Sequence, residues 1–304
     1  TGEEQRVHQP SADQLGDAVN GLYERYAESL PEGPARTRAQ TVARSVAAWM
    51  GPIELDELSA TIAPSATLAD HRVLATWASN TGPELVNQMR AQIELAPDFG
   101  PNIDEIRGLE SDVLLFRMTF SGHSLDSGGY FGNELLIIYV FRADSRVSHI
   151  DAYEAEDDVE ALACFEMLTG AAGEDGVSRR RVRPNRASEA MARMGALVAA
   201  RDFDGLKRLF NDSHTAIEHA TGASFGRDGA VASLDRLCRA QDSYFEFMPL
   251  ATLGDSLALA KRRAGASGTF GGNFDVGAHE IESFYIFEVD SQGLVCRSEI
   301  FGEK

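Results

Sequence analysis

Histidines that directly follow acids occur twice in the sequence and could take part in acid–base chemistry. Asp70 precedes His71 in one stretch, and Glu218 precedes His219 in another. A neutral imidazole can give or take a proton near pH 7 and can orient a carbonyl group. Adjoining residues of a strand point to opposite faces, so such an acid and histidine cannot work together as a dyad. We predict that His71 and His219 face a ligand pocket; the alternative is a histidine held by hydrogen bonds where helix meets sheet.

A second set of candidates consists of acids on strands near the C-terminal ends of the same two regions. Asp151 alternates with His149, and Glu299 occupies the matching place 148 positions later. Apolar neighbours would raise the pKa of such a carboxyl, which could then act as a general base; the alternative is a solvated acid at the rim of a sheet. Glu154 is a rival for this role. Because Gly302 stands at the matching place, chemistry at Glu154 would belong to the first region alone.

Aromatic residues at matching places are candidates for the wall of a pocket. Tyr139 and Tyr285 lie in long apolar strands, where a phenol can contribute one hydrogen bond from an otherwise apolar surface. Trp77 and Phe225 follow the first strand of each region and could cover a pocket as apolar lids. The alternative for all four is ordinary sheet core. We include His149, His219 and Glu299 with them as predicted ligand-binding residues.

These matching places reflect an internal repeat. Residues 54–71 match residues 202–219, both ends being 148 positions apart. The strand at 134–145 matches 280–291 at an offset of 146, and 147–153 matches 295–301 at 148 again. Self-similarity of this kind indicates two copies of one structural unit.

Each copy begins with helical patterns and ends with strand patterns. Residues 39–49 and 187–200 carry apolar residues at three- and four-residue spacing, which predicts helices. Further along, residues 113–121, 130–142 and 147–154 are rich in β-branched and aromatic residues and are separated by turn-type sequences, as are their counterparts in the second copy. Helices followed by an antiparallel meander predict an α+β fold, with helices on one face of a curved sheet.

Three motifs of the sequence point to a known family: Thr-Leu-Ala-Asp-His-Arg at 67–72, the Gly-Gly-Tyr-Phe turn into a long strand at 128–142, and Arg-Val-Ser-His-Ile-Asp-Ala-Tyr at 146–153. They resemble SnoaL-like domains of the NTF2-like superfamily. The resemblance implies two cone folds, each a curved antiparallel sheet packed by N-terminal helices around a pocket. It covers polyketide cyclases, isomerases and epoxide hydrolase-like enzymes as well as binding domains, and it extends to tandem modules at the C-terminal end of actinobacterial ATPase- or cyclase-type regulators.

The repeat and the resemblance together predict the domain organisation. We expect an N-terminal helical segment at 1–34, a first SnoaL-like domain at 35–169, a linker at 170–184 and a second domain at 185–304. The linker is rich in glycine and arginine and shows no periodicity. The chain begins at Thr1 rather than at methionine, so we expect it to be a piece of a longer protein.

Composition and charge restrict the partners. The formal net charge is −19, which argues against nucleic acid and against anionic membranes, because both attract a positive surface. No apolar run is long enough for a membrane span, and the N-terminus lacks a signal pattern. The three cysteines are too few and too scattered for a disulfide framework or a zinc site, which favours a cytoplasmic location.

The function predicted from these observations is binding of a small, mostly apolar molecule by tandem cone pockets, as the ligand-sensing part of a regulator. The alternative is an isomerase, cyclase or lyase that uses Asp151 or Glu154 as base, with a histidine or tyrosine stabilising an enolate. A third reading is an assembly module whose sheets pair, in a homodimer or between the two copies. The sequence lacks a P-loop, a dinucleotide fingerprint and a His-Glu-x-x-His motif, so no cofactor or metal is implied.

Overall fold

The computed structural model describes residues 7–8, 12–75, 77, 79–142, 144–170, 182–240, 242–266 and 279–302. The chain divides into two compact units. The first unit comprises residues 19–182, and the second comprises 183–304 together with 1–18, in each case as far as they are described. Most of the predicted linker, residues 171–181, lies outside the described residues, and the predicted domain limits stay a prediction.

The helices and strands follow one another in chain order. The elements up to residue 169 are β1 (Val7–His8), α1 (Ala12–Ser29), α2 (Pro34–Met50), α3 (Leu55–Thr61), β2 (Ile62–Asp70), α4 (Gly82–Leu95), β3 (Gly100–Leu109), β4 (Val113–His123), β5 (Tyr130–Arg142), β6 (Arg146–Glu154) and α5 (Asp158–Thr169). They are followed by α6 (Arg186–Ala199), α7 (Phe203–Leu209), β7 (Phe210–Glu218), β8 (Ala223–Gly226), α8 (Arg227–Arg239), β9 (Tyr244–Leu253), β10 (Leu257–Ala266), β11 (His279–Val289) and β12 (Val295–Phe301).

Each unit is built on one sheet, and the two sheets share a strand order. The first runs β2-β6-β5-β4-β3, and the second runs β8-β7-β12-β11-β10-β9, with β1 beside β11. The predicted α+β fold class, with helices packed on sheets, is confirmed. One detail was wrong, because the sheets are mixed: β2 pairs with β6, and β7 with β12, in parallel.

The strand register shows which residues share each face of the first sheet. Tyr139 of β5 pairs with Ile150 of β6, and Trp49 of α2 packs on Tyr139 with ring centroids 5.0 Å apart. We call this the inner face. Ile138 pairs with Asp151 on the opposite, outer face, where residues of α5 pack against it.

The second sheet has the same two faces. On its inner face Tyr285 of β11 pairs with Ala260 of β10 on one side and with Ile300 of β12 on the other. Side chains from α6, α7 and α8 pack over this face and form a buried cluster with Phe287. The outer face carries Glu299, which pairs with Ile286.

A bulge near the start of each last strand changes which residues share a face. Val147 pairs with Phe141, whereas His149 pairs with Val140, so the register shifts between them. Phe141 and Val140 are adjacent and point to opposite faces. Val147 therefore lies on the inner face and His149 on the outer face, although strict alternation would place both on one face, and the same shift separates Val295 from Arg297.

The sequence predicted helix ends more reliably than it predicted some of the strands. Thr81 caps α4 by accepting a hydrogen bond from the backbone N–H of Glu84, as the Thr-Gly-Pro-Glu sequence predicts. By contrast, β1, β3, β8 and β9 were not predicted from the sequence. Among the described helices, none combines the length and apolarity that crossing a bilayer would require.

Candidate functional site

In the first unit, two histidines contact one buried carboxylate on the outer face of the sheet. Nε2 of His71 lies 2.8 Å from Oδ1 of Asp151, and Nε2 of His149 lies 3.1 Å from Oδ2. Nδ1 of His149 is 2.7 Å from the hydroxyl of Thr67, and the Cys164 thiol donates to Oδ2 from α5 at 3.8 Å. Through these contacts Asp151 links the end of β2, strand β6 and helix α5.

The second unit repeats the central part of this arrangement. Nε2 of His219 lies 2.8 Å from Oε2 of Glu299, and Nε of Arg297 donates to Oε1 at 2.7 Å. In both units the imidazole stacks on the aromatic ring two positions after the acid, Tyr153 at 4.4 Å and Phe301 at 4.2 Å between centroids. We call each histidine with its acid and its ring a histidine clasp.

The clasp joins the first strand of each sheet to the last. The backbone N–H of His71 donates to the carbonyl of Ala152, and that of His219 donates to the carbonyl of Ile300, both at 2.9 Å. Each histidine thus follows the end of its first strand and is held by backbone and side chain to its parallel neighbour. The recurrence of acid and histidine in the sequence therefore has a structural explanation.

The electrostatics of the clasps differ from what the sequence suggested. Burial acts to raise the pKa of Asp151, but the hydrogen bonds from His149 and His71 outweigh it and hold that pKa below its usual value. Burial likewise acts to raise the pKa of Glu299, and His219 with Arg297 outweighs it. The predicted raised pKa of both acids is wrong, because the sequence pattern did not show the donors that face them.

The clasps also lie on the wrong face for the predicted pocket. Asp151 pairs with Ile138 and Glu299 with Ile286, whereas Tyr139 and Tyr285 point to the inner faces. The predicted site residues on the outer faces are His71, His149, Asp151, His219 and Glu299. They cannot line one cavity together with the tyrosines, since a sheet separates them.

The inner face of the first unit carries the other predicted residues of that unit. Tyr139 is fully buried, its hydroxyl lies 3.9 Å from the sulfur of Met118, and burial raises its pKa. Glu154 ends β6 on this face, opposite Leu135. Trp77 meets the ring of Phe120 edge to face at 5.4 Å.

An ion pair fixes the end of β2 on the same face. Both oxygens of Asp70 accept hydrogen bonds of 2.7 Å from Arg72, and Oδ2 also accepts from the backbone N–H of Trp77 at 2.9 Å. These bonds, led by those from Arg72, lower the pKa of Asp70 to about 2. The Arg72 guanidinium lies 4.6 Å over the Trp77 ring, so Trp77 packs on a cation here.

The inner face of the second unit borders a cavity. Tyr285 and Phe225, both predicted from the sequence, line it. The other lining residues are mainly apolar and are Met194, Phe210, His214, Ala216, Ala230, Ser233, Leu234, Phe245, Phe247, Arg262, Phe287, Ser298 and Ile300. The cavity has a volume of about 60 Å³, which is room for about four water molecules.

Four polar side chains reach this apolar cavity from four strands. His214 is 3% exposed, and its Nε2 lies 3.2 Å from the hydroxyl of Ser298. Nη1 of Arg262 donates to the Tyr285 hydroxyl at 2.7 Å, and the guanidinium carbon is 4.9 Å from the Tyr285 ring centre. Within the described part of the chain, Nδ1 of His214 and Nε of Arg262 are buried without a hydrogen-bond partner.

Burial also sets the protonation of these groups. It lowers the pKa of His214 to about 4, so the imidazole is neutral near pH 7 and one of its nitrogens carries hydrogen. Burial raises the pKa of Tyr285, an effect that the nearby Arg262 opposes in part. At neutral pH the cavity therefore presents a neutral imidazole, a phenol and a guanidinium.

His214, Arg262 and Ser298 were not predicted as site residues. His214 alternates with Ala216 on β7, so the period-two pattern alone places it on the inner face. Arg262 stands in the run Lys261-Arg262-Arg263, of which only the middle residue shares a face with the alanines at 260 and 264. That charge at an inward position was the signal that could have identified it.

Comparisons with known proteins find similarity among solved structures. No family model matches the chain, and no curated protein matches it. A protein from Jannaschia sp. CCS1 assigned to the SnoaL-like polyketide cyclases is 17% identical, with 42% of this chain and 90% of that chain covered and a TM-score of 0.33.

Two further solved structures show the same level of similarity. One, assigned as a ketosteroid isomerase of Kribbella flavida, is 14% identical over 39% of this chain and 78% of its own, at a TM-score of 0.31. The other, an LEH-like epoxide hydrolase of Mycobacterium tuberculosis, is 17% identical over 39% and 83%, at a TM-score of 0.30. Neither assigns an activity to this chain.

Within the described ranges, no group of three or more histidine, cysteine or acidic side chains is arranged to hold a metal ion.

Proposed function

We propose that the cavity of the second unit binds a small, mostly apolar molecule and that binding, rather than turnover, is its function. The observation that carries this proposal is the buried imidazole of His214, whose Nδ1 faces no hydrogen-bond partner among the described residues of an otherwise apolar cavity. An unpartnered polar atom in such a place costs about 1 to 3 kcal/mol. A ligand atom, or a water molecule in its absence, would remove that cost.

Side-chain size supports the proposal that the second unit is hollow. Its inner face has Ala260 beside Tyr285, where the first unit has Leu114 beside Tyr139. Leu114 is completely buried and fills space that alanine leaves open. Met118 stands likewise where the repeat places Ala264. The binding role is accordingly proposed for the second unit.

The apolar wall favours a flat or slender molecule. Phe247 meets Phe245, Tyr285 and Phe287 edge to face at centroid distances between 4.8 and 5.5 Å. Rings held in this way offer a stiff surface with little adaptability. Space for about four waters suits a ligand, or the inserted end of one, of about four to six heavy atoms.

Binding is tested by filling the cavity. Butyramide and butyrate, two probes of the same size, are added to the full chain while the imidazole signals of His214 are followed by NMR. We expect saturable shifts with at least one probe at about millimolar concentration. The variant Ala260→Leu restores the bulk of the first unit and should weaken binding at least tenfold. The matched control Ala199→Leu adds the same volume at an exposed helix position and should leave binding unchanged.

The binding proposal has a clear contrary result. If neither probe shifts the His214 signals, or if Ala260→Leu binds as well as the parent chain, the cavity is not a ligand site. Water would then satisfy Nδ1 of His214. Hydrogen–deuterium exchange in β11 and β12 of Ala260→Leu shows separately whether the variant is folded.

A catalytic alternative would use Glu154. Its favouring observation is position, because Glu154 lies on the inner face whereas Asp151 lies on the outer one. If the first unit performs cofactor-free isomerase or cyclase chemistry, we propose that Glu154 is the acid–base group. Asp151 and His71 lie on the other face of the sheet and would influence the reaction only from a distance. Turnover of a test enone that disappears in Glu154→Gln and persists in Asp151→Asn would favour this alternative over binding.

A further inference from the structure

Arg262 lies in the cavity of the second unit, and none of the described residues supplies a counter-ion for it. Its guanidinium packs on Tyr285, and no carboxylate of the described residues lies within 4.0 Å of its nitrogens. Its Nε is buried without a partner in that part of the chain. A half-buried cation in an apolar setting is costly unless an anion or several acceptors compensate it.

The other cations of the same strand are compensated. Lys261 pairs with Glu282 at 2.7 Å, and Arg263 pairs with Glu280 at 2.7 Å and with Glu282 at 3.2 Å. These pairs lie on the outer face, since Lys261 and Arg263 alternate with Arg262. Arg262 therefore does not take part in the ion pairs on the outer face of this strand.

Tyr285 adds a second donor next to this cation. The Tyr285 oxygen accepts a hydrogen bond from Nη1 of Arg262, so the phenolic hydrogen remains to be donated to another acceptor. Guanidinium and phenol side by side match a group that only accepts hydrogen bonds, and a carboxylate is such a group. Charge-assisted hydrogen bonds of this kind are about twice as strong as neutral ones.

We propose that the ligand of the cavity is a small monocarboxylate, held at its charged end by Arg262 and Tyr285 and at its apolar end by the phenylalanines. This inference rests on the proposed function and specifies its ligand. One guanidinium matches one negative charge. Glu218 lies near Tyr285 but is engaged by the hydroxyl of Thr221 at 2.8 Å. The overall charge of −19 repels anions in general, so affinity for one has to come from this site.

The test compares the two probes, of which butyrate is charged and only accepts hydrogen bonds, whereas butyramide is neutral and also donates them. Butyrate and butyramide have the same shape, and we expect butyrate to bind the full chain at least tenfold more tightly. The variant Arg262→Gln should abolish the preference, so that butyrate and butyramide bind with affinities within about twofold of each other. Arg263→Gln, which removes the same charge from the adjacent outer position, is the matched control and should keep the preference.

The outcomes separate this inference from the proposed function. Equal binding of both probes by the parent chain would overturn the carboxylate inference while the cavity remained a ligand site. Loss of the preference in Arg263→Gln as well as in Arg262→Gln would also overturn it, because the effect would then come from net charge. Binding of neither probe would overturn the proposed function itself. Since Arg262→Gln could disturb folding, Arg262→Lys provides a second variant, and we expect it to retain a preference for butyrate.

Discussion

Replacing Asp151 with alanine is expected to lower the free energy of unfolding of the first unit by about 3 kcal/mol. The carboxylate is 4% exposed and accepts hydrogen bonds from His71 and His149, so its loss leaves two donors without their acceptor. His149 can give up a proton, which keeps the effect below that of breaking a permanent ion pair. Trp49 and Trp77 both belong to the first unit, so tryptophan fluorescence during urea unfolding reports on it alone.

The effect of this substitution should depend on pH in a defined way. The hydrogen bond to Asp151 raises the pKa of His149 above its ordinary value of 6.5, so the stabilisation is present below pH 6.5 and is lost as pH rises through the raised value. The pKa of Asp151 is lowered, so its stabilisation is present above its ordinary 3.8 and is lost as pH falls through the lowered value. The difference between parent chain and variant should be largest between about pH 4 and 6.5.

The control for Asp151→Ala is Asp126→Ala, which removes an exposed acid from the turn between β4 and β5. It should change the unfolding free energy by less than about 0.5 kcal/mol. A loss below 1 kcal/mol for Asp151→Ala at pH 5.5 would show that the histidine clasp contributes little to stability.

Lowering the pH from 7 to 5 is expected to destabilise the second unit by about 2 kcal/mol through His214 alone. Burial lowers the pKa of His214 from 6.5 to about 4 in the folded chain. Between these values the unfolded chain binds a proton that the folded chain does not. Stability is therefore unaffected by this group above pH 6.5, falls as pH drops towards 4, and falls no further below that.

Two measurements check the His214 prediction. The NMR titration of its imidazole should give a midpoint near pH 4, and native-state hydrogen exchange of β11 and β12 should report the loss of stability at pH 5. In His214→Gln the loss between pH 7 and 5 should shrink by about 2 kcal/mol, whereas His219→Gln, which removes an imidazole on the outer face, should retain it. A His214 midpoint at or above 6.5 would contradict the prediction.

The local pattern of the sequence was sufficient for most elements. Thr81 marked a helix start, and β5 and β11 were recognised from long runs of β-branched and aromatic residues. Strand β3 was missed because Gly-Pro-Asn-Ile-Asp-Glu-Ile-Arg-Gly-Leu contains too many polar and turn-forming residues to look like a strand. Pairing with β4, not local propensity, makes it one.

Only some residues of the candidate site could be identified from the sequence. Tyr285 and Phe225 were identified because they recur at places that match Tyr139 and Trp77. His214 and Arg262 were missed because they do not recur, since the first unit has Ala66 and Phe116 where the repeat places them. The residues shared by the two copies therefore indicated the clasps, which occur in both units. They did not indicate the cavity, because its lining differs from the matching residues of the first unit.

The sequence by itself determined the class of the fold, the matching order of its elements and the alternation of residues along each strand. These follow from local periodicity, which each segment carries independently of its neighbours. The tertiary structure alone decided which face of the sheet the helices cover, on which side of it each acid and histidine lies, and where alanine leaves space. Those properties depend on register and on bulges such as that at Val147, where one residue more or less moves a side chain to the other side of the sheet.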